Sequence, residues 1–129
     1  MSPASERAWG DMTVNEMLFH CRRVNNEILG AKQQNNAPTV KQKIMKIIGL
    51  YLMKEMPKGI KTGPKYLPES IDNIDFQKMQ NKLIDSIKEV SAYNDPIYGK
   101  HPFFEPLNTK EWRRFIWKHL DHHLRQFNV

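Results

Sequence analysis

From Thr109 to Phe127 the chain reads TKEWRRFIWKHLDHHLRQF, with no Gly or Pro to interrupt it. Asn108 and Glu111 form a capping-box pattern at its start: the Asn side chain accepts from an orphan backbone N–H and the Glu reaches back to the cap. At about 100° per residue, Trp112, Ile116, Leu120 and Phe127 share one face with Leu124 beside them. Arg114, Lys118, Asp121 and Arg125 fall opposite. The last element is therefore an amphipathic helix. It carries an anomaly, because His119 and His123 rise one turn apart from the middle of its apolar face. An imidazole placed there needs a partner. His122 lies at the polar boundary and is expected to be wet.

Two neutral imidazoles one turn apart can bring two nitrogens to about 2.0–2.1 Å from one transition-metal ion. The same spacing also serves a pair of core histidines bonded to carbonyls or water. Spacing alone leaves both readings open, and a third ligand would separate them.

The chain has 129 residues, enough for one proper hydrophobic core, and the expectation is a single domain over 1–129. With 40% hydrophobic and 26% charged residues it is ordinary globular protein. A single cysteine, Cys21, excludes an internal disulfide framework and a cysteine-based zinc site, and fits a reducing cytosol. No apolar run approaches a membrane span, and no signal-peptide core is evident at the start. The expected location is cytoplasmic, away from membrane.

The formal charge of +6 is concentrated. Between Ala31 and Pro68 stand eight Lys and one acid, Glu55. No Arg, recognition-helix or aromatic stacking pattern accompanies them, so a solvated helix face and a basic loop account for the lysines better than a nucleic-acid interface.

Thr13 and Glu16 form a second capping box, opening a helix to about Leu29 that stops at Gly30. Its core stripe is Val14, Met17, Cys21, Val24 and Ile28. His20 sits at the edge of the stripe, with Glu16 and Glu27 on the same side. On its own it reads as an edge histidine paired to the carboxylate four residues earlier. A third helix is expected over Thr39–Met56, with Val40, Ile44, Ile47, Ile48, Tyr51 and Leu52 in register. A Pro- and Gly-rich connection follows. The fourth helix starts at Asp72 or Asn73 and runs to about Tyr93, burying Phe76, Met79, Leu83, Ile87 and Val90. In the apolar loop DPIYGKHPFFEPL, Phe103 and Phe104 are expected to lid one end of the core, with His101 exposed or aimed at the same end. No segment shows a strand pattern. The fold class is all-α, a four-helix bundle.

HPFFEPLNTKEWRRFIWKHLDHHLRQF, together with WGDMTVNEMLFHC near the start, resembles the uncharacterised branch of the bacterial DinB-like superfamily. These are small four-helix bundles related to bacillithiol-type thiol transferases. The resemblance implies a divalent-metal site built from one early His and a late HxxxH pair, which map to His20, His119 and His123. Relatives usually carry another helix ahead of SPASERAWGDM, so the leading helix is expected to be missing. They commonly have Gly after HPFF, where this chain has Glu105, a difference at the mouth of the pocket. A missing helix is expected to leave an apolar flank, to which Trp9 adds, and hence a homodimer.

Three function classes follow. The first is a metalloenzyme of the thiol S-transferase or hydrolase type, with zinc, nickel or iron as the ion and a low-molecular-weight thiol as co-substrate. The second is a non-catalytic metal- or ligand-binding protein, and the third, ranked last, a basic nucleic-acid binder. No residue is assigned as catalytic. Glu16 and Glu27 are candidates for orienting the second nitrogen of His20. Tyr51, His101, Phe103 and Phe104 are candidates for a pocket that takes a substrate with an apolar part.

Overall fold

The computed structural model describes residues 1–33, 37–99, 101, 103–104 and 107–129. Among these the chain is all-helical, with four α-helices and no strand. Helix α1 spans Val14–Gly30, α2 Val40–Lys46, α3 Phe76–Ala92 and α4 Thr109–Gln126. A π-helical stretch, Ile47–Leu52, continues α2, and a short 3-10 turn covers Pro64–Tyr66.

The capping boxes form as the side-chain pattern requires. Thr13 accepts from Glu16 N while Glu16 reaches back to Thr13 N at 2.7 Å. Asn108 and Glu111 do the same for α4. The starts of both histidine-bearing helices are thus fixed by local chemistry. Asp75 caps α3, a few residues later than the expected start.

Helix α1 is the central element, packing against α3 on one side and α4 on the other. Leu18 and Cys21 are fully buried, and Met17 almost so. Between α1 and α3 the buried Asn25 donates to Ser86 Oγ, which donates to the Leu83 carbonyl. Such a bond among apolar side chains favours one register of the two helices, since a slip leaves the Asn25 amide without its acceptor. A second apolar cluster joins Ile28, Val90, Ile97, Trp112 and Ile116 across three helices and the loop before α4.

The segment expected as one long helix, Thr39–Met56, needs the largest correction. Its α-helical part ends at Lys46, and the chain widens into π turns closed by bonds such as Met53 N–H to the Ile48 carbonyl at 2.8 Å. None of its expected apolar stripe is buried, Val40 and Leu52 being each 73% exposed, and the residue that does reach the core is Leu50, outside that register. Helix α4 holds the segment by polar bonds to its free carbonyls. Arg114 Nε donates to Leu50 O at 2.6 Å, and the Lys118 ammonium donates to Gly49 O at 3.1 Å and to Met53 O. Gly49 makes room for Phe104: a Cβ there would stand 2.2 Å from the tip of the ring, which would have to move.

The same bonds correct the phase of α4. Lys118, placed by periodicity on the polar face, is buried, whereas Leu124 is 40% exposed. Phe115 joins the buried face and Leu120 sits at its edge. The inward surface therefore tilts toward 112, 115, 119, 123 and 126. Trp9 is covered, not exposed: His122 packs on its ring at 5.7 Å and the Lys58 ammonium sits 4.1 Å above it. Its segment is tied to the end of α4 by Ala8 N–H to Gln126 O at 2.7 Å.

Candidate metal centre

Because α1 and α4 are neighbours, the inward face of one meets the inward face of the other. His20 comes from the second turn of α1, His119 and His123 from the last turns of α4, and all three are buried. His20 Nε2 lies 2.9 Å from His119 Nε2, and His123 Nε2 lies 3.2 Å from the same atom. A ligand nitrogen from each falls within 4.8 Å of the others. Two nitrogens held at ~2.1 Å from one ion and ~90–109° apart are separated by about 3.0–3.4 Å. Two of the three separations therefore match pairs of ligands on one ion, and three buried histidines so close together have the donor set to hold a metal ion.

Proton placement strengthens the fit. The Gln126 side chain donates through Nε2 to the Trp9 carbonyl at 2.9 Å, which turns its Oε1 toward His123 Nδ1, also at 2.9 Å. An amide oxygen only accepts, so His123 carries its proton on Nδ1 and presents a lone pair at Nε2. His119 Nε2 faces both this lone pair and His20 Nε2. One imidazole nitrogen holds a single proton or a single lone pair, so it cannot donate to His123 and accept from His20 at once. A cation among three lone pairs removes the conflict.

The rings are also kept neutral. Burial, then the neighbouring His123, lowers the pKa of His20 to about 4. Burial lowers that of His123 to about 4 against the opposing bond to Gln126. His119 is driven well below its ordinary value by burial and by His123 and His20. Neutral imidazole is the metal-binding form. Phe115 stacks on the His119 ring at 5.6 Å and 14° and so fixes its plane.

Glu16 and Glu27 do not orient His20. Glu16 is taken by the Thr13 cap, and Glu27 accepts from Lys65 at 2.7 Å and Tyr66 at 3.2 Å. His20 Nδ1 is buried with no hydrogen-bond partner; the Tyr66 main chain lies near enough to favour a proton on the ring without closing a bond. His119 Nδ1 is likewise unpartnered. The residue that does hold a histidine in place is Gln126, which sequence reading missed. Its position three residues after His123, on the same helix face, was the available signal. His122, expected to be wet, is half-buried against Trp9 and His123.

The three histidines open onto a cavity of about 940 Å³ between α1, α4, the π stretch and the loops around 55–66 and 99–104. Its walls are mostly apolar, among them Val24, Ile28, Met53, Met56 and Phe115. His101, Phe103 and Phe104 line it. Tyr51 does not: it is half-exposed on the outside of the segment, its hydroxyl on Glu111 at 3.1 Å and its ring under Arg114. The π register turns it away from the interior. Cys21 is buried, and burial pushes its thiol far above the ordinary range, so it offers no thiolate. Glu105, expected at the mouth, lies outside the described residues.

No helix among the described residues is long and apolar enough to cross a membrane. A family model described as "Protein of unknown function (DUF1569)" matches residues 3–129. No curated protein and no solved structure matches the chain.

Proposed function

We propose a function from the chemistry of this site for a chain that belongs to the DUF1569 family, whose description assigns no reaction. The chain is a DinB-like divalent-metal protein whose ligands are His20, His119 and His123. It acts as a metalloenzyme of the thiol-transferase or hydrolase type on a substrate with an apolar part. The observation that carries this reading is the convergence of three Nε2 atoms at 2.9 and 3.2 Å, with the His123 tautomer fixed by Gln126. The DinB-like assignment is supported by the origin of the ligands, one from the first helix and two from the last.

When bound, an ion with three neutral protein ligands keeps its charge and open positions, and so acidifies a water or a low-molecular-weight thiol that enters the site. The remaining work falls to the chain. Gln126 holds the proton on His123 Nδ1, Phe115 sets the plane of His119, and the apolar walls exclude bulk water from the reacting end. Zinc, nickel and iron(II) all suit imidazole ligation.

Elemental analysis of untagged protein, before and after chelation and reloading with each of the three metals, tests the reading. One equivalent of one ion is expected. Failure to bind any of them would remove the metalloenzyme. One equivalent without turnover of thiol-acceptor or hydrolysable substrates would leave the second function, a metal- or ligand-binding protein.

A homodimer belongs to the same proposal. Val40, Ile44, Ile47 and Leu52 form an exposed apolar row on α2 and the π stretch, the type of surface a second copy covers. Sedimentation at micromolar concentration is expected to give a dimer; monomer alone would end this part of the reading.

A further inference from the structure

His101 stands on the cavity wall apart from the three clustered histidines, and its surroundings settle which of its nitrogens carries the proton. Its Nδ1 accepts from Phe103 N–H and from Phe104 N–H, each at 3.0 Å. Backbone amides only donate, so Nδ1 holds the lone pair and the neutral ring carries its proton on Nε2. The ring is stacked on Phe104 at 4.3 Å and 6°, and abuts Phe115 edge-on at 4.5 Å. It is 94% buried by its 6% exposure, yet Nε2–H has no partner among the described residues. His101 lines a cavity large enough for a ligand, so this donor is available to an acceptor that enters it.

We infer that His101 Nε2–H is a recognition donor for a neutral carbonyl oxygen on an otherwise apolar ligand in this cavity. This deepens the reading of the site as one for an apolar substrate and rests on the cavity, not on the metal. The donor is held in a neutral form: adding a proton to Nδ1 breaks both loop bonds, and burial lowers the ring's pKa to about 4. A neutral donor in an apolar wall suits a ketone, ester or amide oxygen better than a carboxylate, whose burial needs a countercharge. The buried cation on the cavity wall, the Lys118 ammonium, already donates to Gly49 O and Met53 O. Phe115 lies between the two histidine groups, edge-on to His101 and stacked on His119. A ligand bonded to His101 therefore reaches along one aromatic surface toward the three Nε2 atoms.

The test uses 2-acetylnaphthalene, its near-isostere 2-isopropylnaphthalene and 2-naphthoate, titrated into both chelated and zinc-treated protein. The ketone is expected to bind about tenfold more tightly than the hydrocarbon, the scale of one good hydrogen bond. His101→Asn retains a side-chain oxygen for the Phe103 and Phe104 amides but lacks the distal donor. In that variant the preference, read as the ratio of the two affinities so that any change in the apolar wall cancels, should shrink to about twofold or less. Long-range proton–nitrogen spectra of the wild-type protein give an independent readout, independent of how that variant folds: His101 should show an unprotonated Nδ1. A ketone preference that survives in His101→Asn, tighter binding of naphthoate, binding of none of the probes, or a protonated Nδ1 would each overturn the proposal. Because the preference is expected in chelated protein too, its presence without any zinc uptake would retain His101 recognition while removing the metalloenzyme, and zinc uptake without the preference would do the reverse.

Discussion

The α1–α4 interface and the α2–π segment are both anchored by α4, but by opposite means. Across the first, apolar side chains interlock around three histidines that converge from the two helices, one of them, His123, held by Gln126. The second is held by two cations, Arg114 and Lys118, reaching the carbonyls that a π stretch leaves free, while its apolar row faces outward. The contrast shows that amphipathic periodicity states which face of a helix is apolar, not what covers it. Where the chain supplies the cover, the periodicity becomes a core; where it does not, the backbone is secured by whatever donors stand nearby.

The sharpest break of this contrast is on the interlocked side. His119→Ala is expected to abolish stoichiometric metal uptake while leaving helical content unchanged by circular dichroism, since the surrounding core is aliphatic and aromatic. Loss of the helices would mean that the histidines hold the bundle together. A smaller effect is expected from Gln126→Ala, which frees the His123 tautomer and the Trp9 carbonyl. Metal affinity should fall about 10–100-fold, the usual loss when a partner of a ligating histidine is removed. Unchanged affinity in a competition titration would show that Gln126 only ties down the N-terminal segment.

On the other side, Lys118→Met keeps the aliphatic stem but removes donors from Gly49 O and Met53 O. The opening free energy of residues 47–53 should drop by about 1–2 kcal/mol, read as faster amide exchange there, while α1 and α3 keep their protection. Uniformly faster exchange would mean that the segment is part of the core after all. The smallest effect is expected from Val40→Ser with Ile44→Ser. Each should change monomer stability by no more than about 0.5 kcal/mol, because neither is buried. The same pair should shift sedimentation from dimer to monomer if a second copy covers this row.

Much of the fold was legible because its determinants are local. The capping residues Thr13 and Asn108 need only neighbours within one turn, whereas α3 starts at its Asp75 cap, later than the expected Asp72 or Asn73, and α1 takes in Gly30 and ends at Ala31. The pairing of His119 with His123 follows from helix geometry alone. His20 was ambiguous: by spacing it belonged with Glu16, and the resemblance placed it with the late pair. Packing decided between them, because Glu16 is consumed by its cap. Lys118 was misplaced because a long side chain on a polar-looking face can still turn inward when carbonyls are there to receive it.

By itself, then, the sequence determined that the chain is helical, where α1 and α4 begin and which residues carry imidazoles, all set by interactions within a few residues. Only the tertiary structure decided that α1 meets α4 with three Nε2 atoms converging, that Gln126 and the Phe103 and Phe104 amides fix two histidine tautomers, and that Ile47–Leu52 winds as a π stretch. Each of those depends on a partner distant in the chain or on a backbone path that side-chain spacing does not encode.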